Sequence, residues 1–138
     1  MKRGQEVFVD SGAWIALALT QDPLHLRAVH TWMRLHELRA RLYTSAPVVL
    51  ETFTFLDRNA SRDVALLWKE SLNDVGGLTV LGCSQEDVQL AWTYFERRDL
   101  HKLSAVDATS FVLMTKHEIK HAFSFDHHFA SVGFHVVG

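Results

Sequence analysis

An α/β fold, with helices on both faces of a mostly parallel five-stranded sheet, follows from three features of the sequence. Short apolar runs alternate with helix-period segments along the whole chain, the pattern of strand–helix–strand units. The first run, Val7-Phe8-Val9, is apolar at successive rather than alternate positions, as in strands buried on both faces. The 138 residues contain no repeat, low-complexity segment or linker, so residues 1–138 read as a single domain with a sizeable core.

Taken in order, the first strand ends at Asp10, and Gly12 to Leu19 reads as a short helix broken by Gln21-Asp22-Pro23. His25 to Ala40 carries two apolar stripes at helical spacing. One holds Val29, Trp32 and Met33, and the other Leu24, Ala28, Leu35 and Leu38. Two stripes on one helix point to a contact beyond the home core, either a partner subunit or a helix gripped between neighbours. Leu42 to Thr44 is the second strand. Ser45 and Pro47 suit the cap and first turn of a helix running to about Leu56. That helix is apolar nearly all round, which predicts burial. Arg62 to Asp74 is amphipathic, with Val64, Leu67, Trp68 and Leu72 on one side, and Gly76-Gly77 ends it. Leu78 to Leu81 is the third strand. Ser84 caps a helix carrying Val88, Ala91, Trp92 and Phe95. The polar loop Arg97 to Lys102 leads to Ser104, which caps a helix from Ala105 to about His117. Ala122 to Phe125 and Phe134 to Val137 complete the sheet.

Composition narrows the class. Fourteen basic and sixteen acidic residues leave a net charge of −2, and 22% of residues are charged. This is an ordinary globular balance with no overall nucleic-acid signature. Arg97, Arg98 and Lys102 read as a solvated loop before they read as an RNA grip. Met1-Lys2-Arg3 before apolar residues imitates a signal peptide, but Asp10 interrupts the run. No stretch approaches the roughly 20 apolar residues of a membrane span. Cys83 is alone, so no intrachain disulfide forms, and a reducing cytoplasmic setting is expected.

Four acids carry the chemistry. Glu51 is the one acid in APVVLETFTFL, where a buried carboxylate needs a partner, a proton or a metal. Asp10 and Asp126 each close an apolar strand, where a turn-forming Asp is common. Asp107 lies in Ser104-Ala105-Val106-Asp107, a capping-box spacing that by itself explains an acid. Ser84 to Asp87 repeats that spacing and serves as a control. If the strands ending at Asp10 and Asp126 are neighbours, all four acids converge at one sheet edge. Crowded carboxylates need a cation or protons, and an all-oxygen cluster favours Mg²⁺ or Mn²⁺.

With these residues in place, the chain resembles the PIN-domain ribonucleases, in particular the VapC-type toxins of toxin–antitoxin pairs. The likeness covers almost the whole chain. It rests on VFVDSGAWIAL with Asp10, SAPVVLETFTFL with Glu51, LSAVDATSFVLM with Asp107 and AFSFDHHFASVGF with Asp126. The resemblance implies a three-layer α/β/α PIN-like domain and Mg²⁺- or Mn²⁺-dependent endonucleolytic cleavage of RNA. By the same analogy Asp10 and Asp107 are the main metal ligands, and Asp126 completes the sphere or holds a second ion. Glu51 ligates through water or orients the attacking water. Ser11, Thr109 and Ser110 are implied as polar supports. The family's habits also imply a cognate antitoxin and a homodimer, with His25 to Ala40 and Arg62 to Asp74 as contact helices. His127, where the family often has a basic residue, and His128 receive no role.

Two other readings use the same residues. His117-Glu118-Ile119-Lys120-His121 matches the zinc-peptidase pattern H-E-x-x-H, with His127 at the spacing of a third ligand. That chemistry requires a helix through His121, where a strand is expected instead. An inactive PIN-like binding module, whose acids are only electrostatic, is the non-enzymatic alternative.

Overall fold

The computed structural model describes residues 1–138. Five strands form one sheet in the order β3-β2-β1-β4-β5, and every pairing is parallel. The strands are β1 (Glu6–Val9), β2 (Arg41–Ser45), β3 (Thr79–Leu81), β4 (His121–Phe123) and β5 (His135–Val137). The helices are α1 (Ser11–Ala18), α2 (His25–Glu37), α3 (Ala46–Asn59), α4 (Arg62–Ser71), α5 (Gln85–Ala91), α6 (Ala105–Lys116) and α7 (His128–Ser131). The predicted α/β class is therefore correct, and the sheet is wholly rather than mostly parallel.

Strand order explains the layers. From β1 the chain steps outward through β2 to β3, then crosses back to β4 on the other side of β1. Right-handed crossovers place the helices of the outward steps on one face and those of the return on the other. The order reverses beside β1, so the crevice at the carboxyl ends of β1 and β4 is where such sheets bind ligands. Val7, Phe8 and Val9 are fully buried, as the uninterrupted apolar run requires.

Two helices end on the same device, which at α2 shortens the helix relative to the sequence reading and at α6 ends it where expected. α2 stops at Glu37 instead of Ala40, because Arg39 turns left-handed at φ 51°. Its N–H reaches the His36 carbonyl, and the Ala40 N–H reaches that of Leu35. α6 stops at Lys116, because Glu118 turns left-handed at φ 56°. The Glu118 and Ile119 N–H groups then return to Thr115 and Met114. Both ends are Schellman motifs, a device that normally uses glycine and so signals itself in sequence. Here neither does.

That turn removes the zinc-peptidase reading. Glu118 lies outside the helix and His121 begins β4, so the two imidazoles never share a helical face. β4 is also shorter than expected, ending at Phe123. The four-residue helix α7, which follows Asp126, was not foreseen.

α3 corrects the expectation of an all-round buried helix. Only Val48, Thr52 and Leu56 are buried, while Leu50 and Phe55 face solvent. On α4 it is Ala65 and Trp68 that pack inward, and Leu67 is 71% exposed.

Candidate metal centre at the sheet edge

β1, which closes at Asp10, and β4, which ends at Phe123 three residues before Asp126, are neighbours, as convergence of the acids requires. β1 pairs with β4 in the register Val9 to Phe123, and the Asp10 N–H continues the ladder to the Phe123 carbonyl at 3.0 Å. One residue on, Ser124 binds the two strand ends together. Its hydroxyl donates to Asp10 Oδ2 at 3.0 Å and accepts the Asp126 N–H at 3.0 Å. Ser124 is buried. It was missed in the sequence, where a hydroxyl two residues before a turn acid is the only sign.

Asp10 occupies the N-cap position of α1, yet its side chain makes no capping hydrogen bond. Its Oδ1 is buried without any partner. Burial, the largest effect, lifts its carboxyl to about 6; the Ser11 N–H and Ser124 hydroxyl pull down, and Glu51 and Asp126 push up.

The two Ser-x-x-Asp sequences diverge in a way that locates the chemistry. At Ser84 the capping box is complete, with Asp87 Oδ2 accepting the Ser84 N–H at 3.0 Å and Ser84 Oγ accepting the Asp87 N–H at 3.1 Å. Lys116 Nζ lies 3.3 Å from Asp87. At Ser104 only half the box forms: Ser104 Oγ accepts the Asp107 N–H at 3.0 Å, and the carboxyl does not reach back. It faces the other acids instead. Burial first, then the charge of Asp10, then a hydrogen bond to Asp126 push Asp107 up to about 9.

Asp126 moves the other way. Burial works to raise it, but the His128 backbone N–H and the bond from Asp107 hold it below the usual range. The carboxyls of Asp107 and Asp126 thus shift in opposite directions, as crowded acids do without a counter-ion.

Glu51 enters from α3. It accepts the Ser11 hydroxyl at 2.9 Å and makes no ion pair with Arg58. It is only partly buried, so the cost of a buried charge does not explain it; proximity to Asp10 and Asp107 does. Ser11 therefore contacts one of the four acids. Thr109 and Ser110 do not, because their hydroxyls donate back to the Val106 carbonyl at 2.6 and 3.2 Å, a common use of hydroxyls inside helices. Of the basic loop, Arg97 is held by Asp99 at 2.6 Å, while Arg98 and Lys102 face solvent.

The donor set fits a hard divalent ion. Four carboxyls supply only oxygen, the donor such an ion prefers, and one buried Asp10 oxygen lacks a partner. Beside Glu51 a cleft of about 630 Å³ is lined by Leu50, Phe55, Arg58 and Val106 among others.

A parallel sheet with this order and an acid cluster at its switch point defines an α/β fold with a candidate metal centre. The PIN-domain family model matches residues 7–135, and the chain belongs to the PIN-domain family. It is 31% identical over 128 residues to the 23S rRNA-specific endonuclease VapC20 of Mycobacterium tuberculosis, covering 93% of this chain and 95% of that protein. The crystal structure of VapC20, titled a sarcin–ricin loop cleaving toxin, superposes with a TM-score of 0.80 at 31% identity, covering 93% of this chain and 95% of that one.

Proposed function

We propose that the protein is a metal-dependent endoribonuclease, the toxin of a VapBC-like toxin–antitoxin pair, acting in the cytoplasm. The observation that carries this reading is the pair of unused caps. Asp10 and Asp107 both sit at a helix start without making a side-chain cap bond, and the charge of Asp10 acts on Asp107.

Asp10 and Asp107 are the principal ligands of Mg²⁺ or Mn²⁺, Asp126 completes the set, and Glu51 acts through water. When bound, the ion neutralises phosphate charge and lowers the pKa of a coordinated water. The chain's own residues do the rest. Ser124 holds Asp10 and the Asp126 turn in fixed relation. Ser11 keeps the Glu51 carboxylate turned toward the pocket, where it can accept a proton from an attacking water. The cleft beside Glu51 offers RNA the Arg58 guanidinium for a phosphate and the exposed Phe55 ring for a base. The likeness to VapC20 makes ribosomal RNA the first substrate to try.

The antitoxin docks on the α1–α2–α4 side. A groove of about 490 Å³ lies there, lined by Trp14, Trp32 and Trp68, with Met33, Leu66 and Leu67 exposed nearby. The toxin itself is a homodimer.

The test is incubation of the purified protein with labelled 23S rRNA in ribosomes, and with total tRNA, in Mg²⁺, Mn²⁺ and EDTA. Asp107→Asn, prepared identically, controls for contaminating nucleases. Cleavage by the wild type alone, abolished by EDTA, is expected. Absence of both cleavage and Asp107-dependent Mg²⁺ or Mn²⁺ binding would overturn the reading and leave a binding module.

A further inference from the structure

Asp126, His127 and His128 form the turn into α7, and one donor atom from each lies within 4.8 Å of the others. His128 Nδ1 stands 2.8 Å from Asp126 Oδ1, and His127 Nδ1 3.8 Å from the same oxygen. His128 is only 5% exposed, so its neighbours dictate its tautomer. On its far side, Nε2 lies 2.7 Å from the His101 carbonyl oxygen. A carbonyl only accepts, so Nε2 carries the proton, and in the neutral ring Nδ1 keeps a lone pair. Its 2.8 Å contact with Asp126 is not aligned as a hydrogen bond, and this buried nitrogen has no hydrogen-bond partner. Two donors that serve one ion each point to a shared position off the line joining them. An imidazole whose second nitrogen donates to a backbone carbonyl is the usual form of a metal-binding histidine.

We propose that Asp126, His127 and His128 form a second metal site, for a borderline divalent ion of the Zn²⁺ type. Two imidazoles and one carboxylate suit Zn²⁺. Mg²⁺ instead prefers oxygen and retains its waters. The site lies beside the four-acid pocket and shares Asp126 with it, and only through that carboxylate does it rest on the metal reading above. The rival explanation is a second proton on His128, giving an imidazolium paired with Asp126. The pair His121 and His135, at the opposite end of β4 and β5 with ring centroids 5.2 Å apart, offers no third donor.

The experiment is calorimetric titration of the full, untagged, metal-free protein with Zn²⁺, and separately with Mg²⁺ or Mn²⁺. Co²⁺ serves as a visible-absorption probe of nitrogen ligation. His127 is exposed, so His127→Ala leaves the core intact; His128→Gln is the second variant. The wild type is expected to bind Zn²⁺ more tightly than Mg²⁺. His127→Ala should lose at least about tenfold in Zn²⁺ affinity and keep its Mg²⁺ or Mn²⁺ affinity. Asp107→Asn should do the reverse. Zn²⁺ affinity unchanged in both histidine variants, or lost only in Asp107→Asn, places zinc in the acid pocket and overturns the proposal. No Zn²⁺ binding by the wild type overturns it in favour of the imidazolium. Failure of Mg²⁺ and Mn²⁺ to bind the wild type, with the histidine-dependent Zn²⁺ result intact, would instead refute the four-acid pocket and leave this site standing.

Discussion

Replacing Asp10 by Asn should stabilise the metal-free protein at neutral and alkaline pH while removing a proposed ligand. Burial lifts the Asp10 carboxyl from 3.8 to about 6. At about 1.4 kcal/mol per unit, the ionised form costs the folded state about 3 kcal/mol. The sign follows from the direction. A carboxyl with a raised folded pKa adds no penalty below about 4, where both states are protonated. Stability is then lost as pH rises toward 6 and stays lost above it. Asn keeps the shape, and its side-chain oxygen can still accept the Ser124 hydroxyl. Asp10→Asn should therefore exceed the wild type by about 3 kcal/mol at pH 8, or on the order of 10 °C in Tm, with the gap closing near pH 4. Urea denaturation in EDTA across this pH range measures it. Added Mg²⁺ or Mn²⁺ should raise the wild type and not the variant. A variant less stable than the wild type at pH 8 without metal would refute the claim that unneutralised charge strains this pocket.

Ser124→Ala removes one donor to Asp10 and one acceptor for the Asp126 N–H. It should cost about 1–3 kcal/mol in denaturant titration and lower RNA cleavage, because the Asp10 and Asp126 ends are no longer tied. Glu118→Gly relieves a left-handed residue and should raise stability by about 0.5–1 kcal/mol, measured by thermal melting, with cleavage unchanged. Leu67→Asp, on the exposed side of α4, should leave Tm and cleavage intact but weaken antitoxin affinity, read by calorimetry against the purified partner.

The sequence by itself determined the α/β class and the five strands, and it singled out four acids as candidates. Each is a local signal. Val7-Phe8-Val9 can only be a strand covered on both faces, and an acid directly after such a strand must lie at its carboxyl end. Helix starts were equally legible, since Ser45, Ser61, Ser84 and Ser104 each bond the helix they precede. The end of α2 was not, because Arg39 occupies a left-handed position without the glycine that would announce it. The strand order was also beyond local reading. Only the return of β4 to the free side of β1 brings Asp126 beside Asp10, and pairing is settled by packing across the whole sheet. Nor could spacing separate Asp107 from Asp87, since both follow Ser-x-x. Asp87 meets Ser84 and Lys116, whereas Asp107 meets Asp126 under the influence of Asp10. Which of two identical motifs is a cap and which is a site was decided by the neighbours the fold supplied.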